Sequence, residues 1–137
     1  MESKELTIVI VTFKSDETIM NCLKSISKNI PVIVIENSDN KDFKKKIENI
    51  FTNVNCILVG ENKGYSTANN VGLKSVNTKY ALILNPDTIL DKDTIKNFFT
   101  TAEQIKDFWL IGPANNQIIN FNENDGNLKE VNNLKGF

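Results

Sequence analysis

The sequence predicts an α/β fold, with a mostly parallel sheet covered by helices on both faces. Three observations carry this expectation. Short apolar runs rich in β-branched residues recur at 6–12, 32–36, 55–59 and 80–84, amphipathic helical patterns separate them, and the loops that follow the first, second and fourth runs end on polar residues. Strands buried on both faces read as unbroken apolar runs, and parallel neighbours need a helical crossover between them. Such crossovers are right-handed, and ligands of these sheets bind outside the carboxyl ends of the strands.

LTIVIVT at 6–12 is the first strand, expected to be buried on both faces. Ile19, Leu23 and Ile26 then recur at helical spacing, with Ser15 or Asp16 suited to cap the helix. Pro31 opens a second buried strand, VIVIE. Phe43, Ile47, Ile50 and Phe51 mark a second helix, whose wet face carries the basic cluster KDFKKK at 41–46. NCILV at 55–59 is a third strand, residues 66–76 suit a helix, and ALIL within 80–84 is a fourth strand made for a core. Ile95, Phe98, Phe99, Ala102 and Ile105 form the stripe of a fourth helix, with Asp91 and Asp93 at its start, where negative charge suits the helix dipole. WLIGP at 109–113 reads as a short further strand. From about residue 114 the pattern dissolves into Asn-rich sequence, with one more strand pattern at 117–121.

A chain of 137 residues and 15.4 kDa has the length of one domain. Folding at this size buries roughly two-thirds of the unfolded surface. Apolar content of 40% with 24% charged is ordinary for a soluble globular protein. The start MESKELTIVIVTFKS has neither the basic region nor the cleavage site of a secretory signal, so a cytoplasmic chain is expected. Cys22 and Cys56 stand alone in apolar patterns and read as packed thiols. A net charge of -1 gives no general attraction to nucleic acid. There is no histidine, which excludes Ser-His-Asp and Cys-His catalysis and every His-ligated metal site. Chemistry is left to carboxylates and oxygen ligands.

The strand-end loops TFKSDE, ENSDN and NPDT are therefore the places to look. None carries G-x-G-x-x-G, and no P-loop occurs anywhere. A hard cation, Mg²⁺ or Mn²⁺, held by one or two carboxylates with phosphate oxygens completing its shell, is the usual substitute. Asp87 suits that task, because Pro86 fixes φ and stiffens the turn; Asn85-Pro86-Asp87-Thr88 is equally a good structural type I turn. In ENKGYSTANNVG at 61–72, Gly64 permits a tight bend and small residues let a helix start close to a ligand, while a plain turn and cap fit as well. Glu36 places a carboxylate at a strand end, able to accept from a base N–H.

Taken together, TIVIVTFKS, VIVIENSD, ENKGYSTANNVG and ALILNPDT, in this order and spacing, resemble the amino-terminal half of family 2 glycosyltransferases of the A-type fold. The likeness is greatest to the bacterial rhamnosyltransferase-like branch and extends over about residues 5 to 115. It implies a Rossmann-like sheet in which Thr12 and Phe13, with Lys14 nearby, hold the nucleobase. Glu36-Asn37 stands where the family has Asp-Asn on the base, a departure that moves the carboxylate outward by one methylene. Asn62, Gly64 and Asn70 match the segment lining the nucleotide pocket. Asn85-Pro86-Asp87 matches the Asp-x-Asp motif, whose last member, Asp87, holds the divalent ion on the diphosphate. With Asn85 replacing the first aspartate, metal affinity is expected to be low until the donor binds.

The same resemblance implies inverting transfer from a UDP- or dTDP-sugar to a hydroxyl of a glycan or lipid-linked acceptor, in bacterial surface-glycan synthesis. The family's catalytic base would lie beyond Phe137, so the chain reads as truncated. It divides into a nucleotide-sugar-binding domain at 1–115 and the incomplete start of an acceptor-side region at 116–137. Attachment to the inner membrane face would come through parts outside it. An open edge at Tyr80–Leu84 is expected to cause self-association, or else the tail from about residue 120 is disordered. Two alternatives remain at this level. A nucleotidyltransferase would want a glycine-rich basic loop after the first strand. A non-catalytic nucleotide-binding or scaffold module of receiver-like topology would want clustered acids where Thr12-Phe13 stand.

Overall fold

The computed structural model describes residues 4–105 and 107–113. The strand expected at 117–121, the boundary between 115 and 116 and the tail from about 120 lie outside the described residues. The elements run β1 (Leu6–Thr12), α1 (Thr18–Ser25), β2 (Val32–Glu36), α2 (Lys41–Ile50), β3 (Val54–Leu58), α3 (Tyr65–Lys74), β4 (Tyr80–Leu84) and α4 (Thr94–Gln104). The chain divides into two compact units, Met1–Leu90 and Asp91–Phe137.

The first unit holds one parallel sheet in the order β3-β2-β1-β4. Ile8 lies opposite Val32 on one side and Leu82 on the other, which makes β1 a central strand. Both β1 and β2 are buried along their whole length, as continuous β-branched runs require. Ile8, Val9, Ile10, Val34 and Ile35 are fully excluded from water, each such side chain contributing about 1.5–3 kcal/mol of burial.

One face of the sheet receives α3. Ala68 packs with Val11, Ile33 and Ile35. Gly72 sits so close to β1 that a Cβ there would stand 2.4 Å from the Val9 Cγ1. A missing side chain thus sets the helix-to-sheet approach. Phe43 and Ile47 are the buried pair of α2, as their spacing predicts.

Four expectations are corrected. No side chain caps α1: its amides are met by main chain, with Ile19 N–H donating to the Ser15 carbonyl at 3.0 Å. Ile26, the third member of its stripe, is buried but already extended, past the helix end. The fourth strand is no core strand, since Ala81 is exposed and Ile83 is 43% exposed on an edge position. Apolar runs look alike at the centre and at the edge of a sheet, so sequence alone does not separate them.

In the second unit, Asp93 occupies the N-cap of α4, Thr94 N–H donates to the Asp91 carbonyl and Asn97 N–H to that of Asp93. The two aspartates thus open the helix. The fourth correction falls here: residues 109–113 join no strand among those described, and Trp109 and Leu110 lie exposed. Without a ladder among the described residues, an apolar run does not count as a strand.

Candidate functional site

The strand order reverses beside β1, because β2 and β3 lie to one side of it and β4 to the other. A crevice outside the carboxyl ends of β1 and β4 is where parallel sheets of this type bind ligands. Three loops reach that end.

The first leaves β1. Thr12 is buried, and its hydroxyl donates to the Glu36 carboxylate at 2.6 Å; Ser38 Oγ donates to the other Glu36 oxygen at 2.5 Å. Both carboxylate oxygens thus accept from the chain's own hydroxyls. Thr12 and Glu36 are buried structural partners, whereas Phe13, just past the carboxyl end of β1, is 43% exposed. Lys14 follows at φ 54°, a left-handed conformation that a residue with a Cβ rarely adopts. Its ammonium stands 5.4 Å from the Phe13 ring centre. Backbone strain of this kind gathers at binding sites.

The second loop is tied by amides. Asn37 N–H donates to the Thr12 carbonyl at 2.8 Å, the Asn37 Nδ2 donates to the Asn62 Oδ1 at 2.8 Å, and the Asn37 Oδ1 accepts the Lys63 N–H at 2.9 Å. Asn62 Oδ1 also accepts the Gly64 N–H at 3.0 Å. Gly64 has φ 81° and forms the N-cap of α3, the positive-φ bend expected at this position. Asn37, Asn62 and Gly64 are therefore brought together, with Asn37 a buried staple between β2 and the 61–64 loop. Asn70 stands exposed on α3 and is not part of this set. Its neighbour Asn69 is buried, its Nδ2 donating to the Tyr65 carbonyl at 3.1 Å while its Oδ1 has no partner among the described residues.

The third loop is the NPDT turn. Thr88 N–H donates to the Asn85 carbonyl at 3.1 Å, closing the four-residue turn the sequence predicts. Asn85 is held twice more. The buried Cys22 thiol, on α1, points at the same carbonyl at 3.6 Å, and the Tyr65 hydroxyl, on α3, donates to its Oδ1 at 3.0 Å. Further along, Leu90 N–H donates to Ser25 Oγ at 3.0 Å, so α1 grips the loop at both ends. Asp87, between these anchors, is exposed. Burial pushes the Cys22 thiol up to about 11, with the nearby Asp87 charge adding to the effect. Burial likewise carries Cys56 up to about 12. Both cysteines are free and buried, so the packed-thiol expectation holds.

Cys22, Ser25 and Tyr65 were not among the residues the sequence singled out as candidates. A tyrosine directly after the cap glycine was the one available signal, since an aromatic at the first turn of a helix can reach the next strand end.

No group of three or more His, Cys, Asp or Glu side chains gathers among the described residues. One exposed carboxylate on a stiff turn does suit a hard cation of the Mg²⁺ type, which keeps most of its shell in water or phosphate oxygens. Asp87 would hold such an ion, and Asn85, whose amide oxygen already accepts from Tyr65, would serve as anchor.

A model of the family described as Glycosyl transferase family 2 matches residues 7–131. Over 113 residues the chain is 31% identical to a low-salt glycan biosynthesis hexosyltransferase, Agl10, of Haloferax volcanii, an alignment that covers 80% of this chain and 36% of that protein. It is 31% identical over 91 residues to a teichoic acid poly(glycerol phosphate) polymerase of Staphylococcus epidermidis, covering 61% of this chain and 13% of the relative. The chain thus spans about a third or less of the length of these curated relatives. In fold it is similar to S. aureus TarS: TM-score 0.63 at 18% identity for residues 1–349, covering 74% of this chain and 33% of that one. For a second crystal structure of TarS, the TM-score is 0.61 at 20% identity, covering 74% and 20%. Since the family's pattern runs through β1, β4 and the turn between Asn85 and Thr88, this chain belongs to glycosyl transferase family 2.

Proposed function

We propose that this chain is the donor-binding part of a glycosyltransferase that takes a nucleoside-diphosphate sugar, UDP- or dTDP-linked, together with Mg²⁺ or Mn²⁺, and transfers the sugar to a hydroxyl of a glycan or lipid-linked acceptor with inversion. The observation that carries the reading is the seat of Asp87. It lies exposed on a turn pinned at Asn85 and Leu90, at the switch point of a parallel sheet. Family membership supports the reaction class, and the named activities of the relatives support a carbohydrate or polyol-phosphate polymer as the acceptor's setting.

In this reading Phe13 stacks on the nucleobase, and the loop at 61–64, held by Asn37, offers main-chain groups to the ribose and phosphates. The amide-rich staple keeps that loop's geometry before ligand arrives, which lowers the ordering cost of binding. Asp87 places negative charge where a divalent cation meets the diphosphate. Such an ion, when bound, stabilises charge growing on the leaving diphosphate. The acceptor hydroxyl needs a carboxylate to take its proton, and we assign that role to neither Asp91 nor Asp93, which stand at the start of α4. We assign the work of the whole protein to the cytoplasmic side of a membrane, where nucleotide sugars are made. No helix among the described residues is long and apolar enough to cross a membrane.

The test is calorimetric titration of the chain with UDP, dTDP and GDP, with and without MnCl₂. Manganese-dependent binding of one of the diphosphates, lost in Asp87→Ala, is the expected result. Indifference to all three, with and without metal, would overturn the reading in favour of a scaffold module.

A further inference from the structure

Asn85 sits between two loops that the proposed function assigns to different parts of one ligand. Its backbone carbonyl belongs to the turn that carries Asp87, accepting from Thr88 N–H and facing the Cys22 thiol. Its side-chain oxygen accepts from the Tyr65 hydroxyl at 3.0 Å, across 20 residues of sequence. Tyr65 is the first residue of α3 and follows Gly64, whose N–H is held by Asn62, which is held in turn by Asn37. The Tyr65 carbonyl is fixed as well, by the buried Asn69 amide. A continuous set of hydrogen bonds therefore runs from the end of β2, through the loop at 61–64, to the cation turn.

Among the described residues, the hydrogen bond that links α3 to the cation turn is that of a phenolic hydroxyl. Tyr65 is half-exposed, at 52%, and its hydroxyl's bond to Asn85 ties the far end of the ring to the turn. A ligand seated on the 61–64 loop would cover that bond and shield it from water, which strengthens it.

We propose that Tyr65 is a positioning residue that couples the nucleotide loop to the cation turn: with its hydroxyl on Asn85, seating a nucleoside diphosphate on residues 61–64 orients Asp87 for the divalent ion, and the ion in turn tightens the nucleotide. The inference rests on the function proposed above and adds to it a named residue that makes the two ligands interdependent. By linkage, the factor by which manganese improves nucleotide affinity equals the factor by which nucleotide improves manganese affinity.

Tyr65→Phe removes only the hydroxyl and keeps the ring. The experiment measures UDP and dTDP affinity calorimetrically at zero and saturating MnCl₂, for the unmutated chain, Tyr65→Phe, Asn85→Ala and the double variant. The expected result is that Tyr65→Phe leaves metal-free nucleotide affinity within about twofold but lowers the manganese enhancement by about fivefold, the effect of one net hydrogen bond. Asn85→Ala should lower the enhancement at least as much, and the double variant should lose no more than Asn85→Ala alone, as partners in one bond do. An unchanged thermal midpoint in Tyr65→Phe excludes loss of fold. An enhancement in Tyr65→Phe equal to that of the unmutated chain overturns the inference while leaving the functional reading intact, as does an equal loss of affinity with and without manganese, which marks Tyr65 as a plain contact. Absence of any nucleotide binding or manganese effect in the unmutated chain overturns the functional reading, and the inference with it.

Discussion

At the β3 edge of the sheet the outward main chain of the central residue, Cys56, is closed by side chains; at the β4 edge it meets no described strand. The register makes the contrast concrete. Asn53 O accepts from β2, and Val59 N–H donates to it, so the alternate residue Cys56 turns its N–H and carbonyl outward. Both are taken by α2: Glu48 accepts the Cys56 N–H at 2.8 Å, and Lys44 donates to the Cys56 carbonyl and to Glu48 at 2.7 Å. An ion pair one helical turn long thus stands in for a neighbouring strand. At β4, Tyr80 N–H donates to the Glu5 carbonyl, so Ala81 and Ile83 face away from β1. Both side chains are exposed.

The difference separates two tasks within one small sheet. Open edges recruit other chains, and proteins blunt them with charge. The β3 edge is blunted by its own crossover helix, which contributes stability. The β4 edge has no neighbouring strand among the described residues and ends in the turn that carries Asp87, which contributes binding in the function proposed above. The basic cluster at 41–46 has accordingly two parts. Lys41, Lys45 and Lys46 are exposed, whereas Lys44 is half-buried and bonded to the edge.

Substitutions at the two edges should therefore have crossed effects. The largest belongs to the β4 end: Asp87→Ala is expected to weaken manganese-dependent diphosphate binding by about 10- to 100-fold, the scale of a lost charge-assisted contact. Its urea midpoint should not fall. Next comes Glu48→Ala, which leaves the Cys56 N–H without its acceptor and should lower stability by about 1–3 kcal/mol in urea unfolding, with metal and nucleotide binding unaltered. If both variants lost both properties, the division between the edges would be wrong.

The pH dependence sharpens the same contrast. Burial alone raises the Glu48 carboxyl, but the Lys44 ammonium and the Cys56 N–H more than offset this and hold it below the usual carboxylate range. Stability from this group is present above the ordinary value of about 4.3 and is lost as pH falls through the lower folded value. Glu48→Gln should flatten that acid limb. The thiols act in the opposite sense. With Cys22 raised to about 11 and Cys56 to about 12, their contribution is complete below the ordinary thiol value of about 8.5 and declines as pH rises from there towards the folded values. Denaturant midpoints between neutral pH and pH 10 should fall, and less so in Cys56→Ala relative to its own neutral value.

The smallest effect on stability is expected from Ile83→Lys, within about 0.5 kcal/mol because the site is half-exposed. Its use is to test self-association through β4. Sedimentation should show concentration-dependent association of the unmutated chain reduced by this charge, and an unmutated chain that stays monomeric at high concentration would reject association through this edge.

The strands, helices and turns were legible because each is a local pattern. The unbroken runs at 6–12 and 32–36, the Phe43 and Ile47 spacing and the closed turn at 85–88 are all set by residues a few positions apart. The short strand expected at 109–113 failed for the complementary reason: apolar content does not supply a ladder partner. Of the candidate residues, Phe13, Gly64 and Asp87 are placed as their types suggest, whereas Thr12 and Glu36 turned out to bond each other, across 24 residues.

What the sequence determined by itself, then, was the set of elements and the stiff acidic turn, since φ/ψ preference and side-chain period depend on near neighbours. The tertiary structure decided that β4 lies beside β1, that Lys44 and Glu48 close one edge, and that Cys22 reaches Asn85 across 63 residues. These follow from which faces and edges pack together, a choice made by burial over the whole sheet and written in no single stretch of chain.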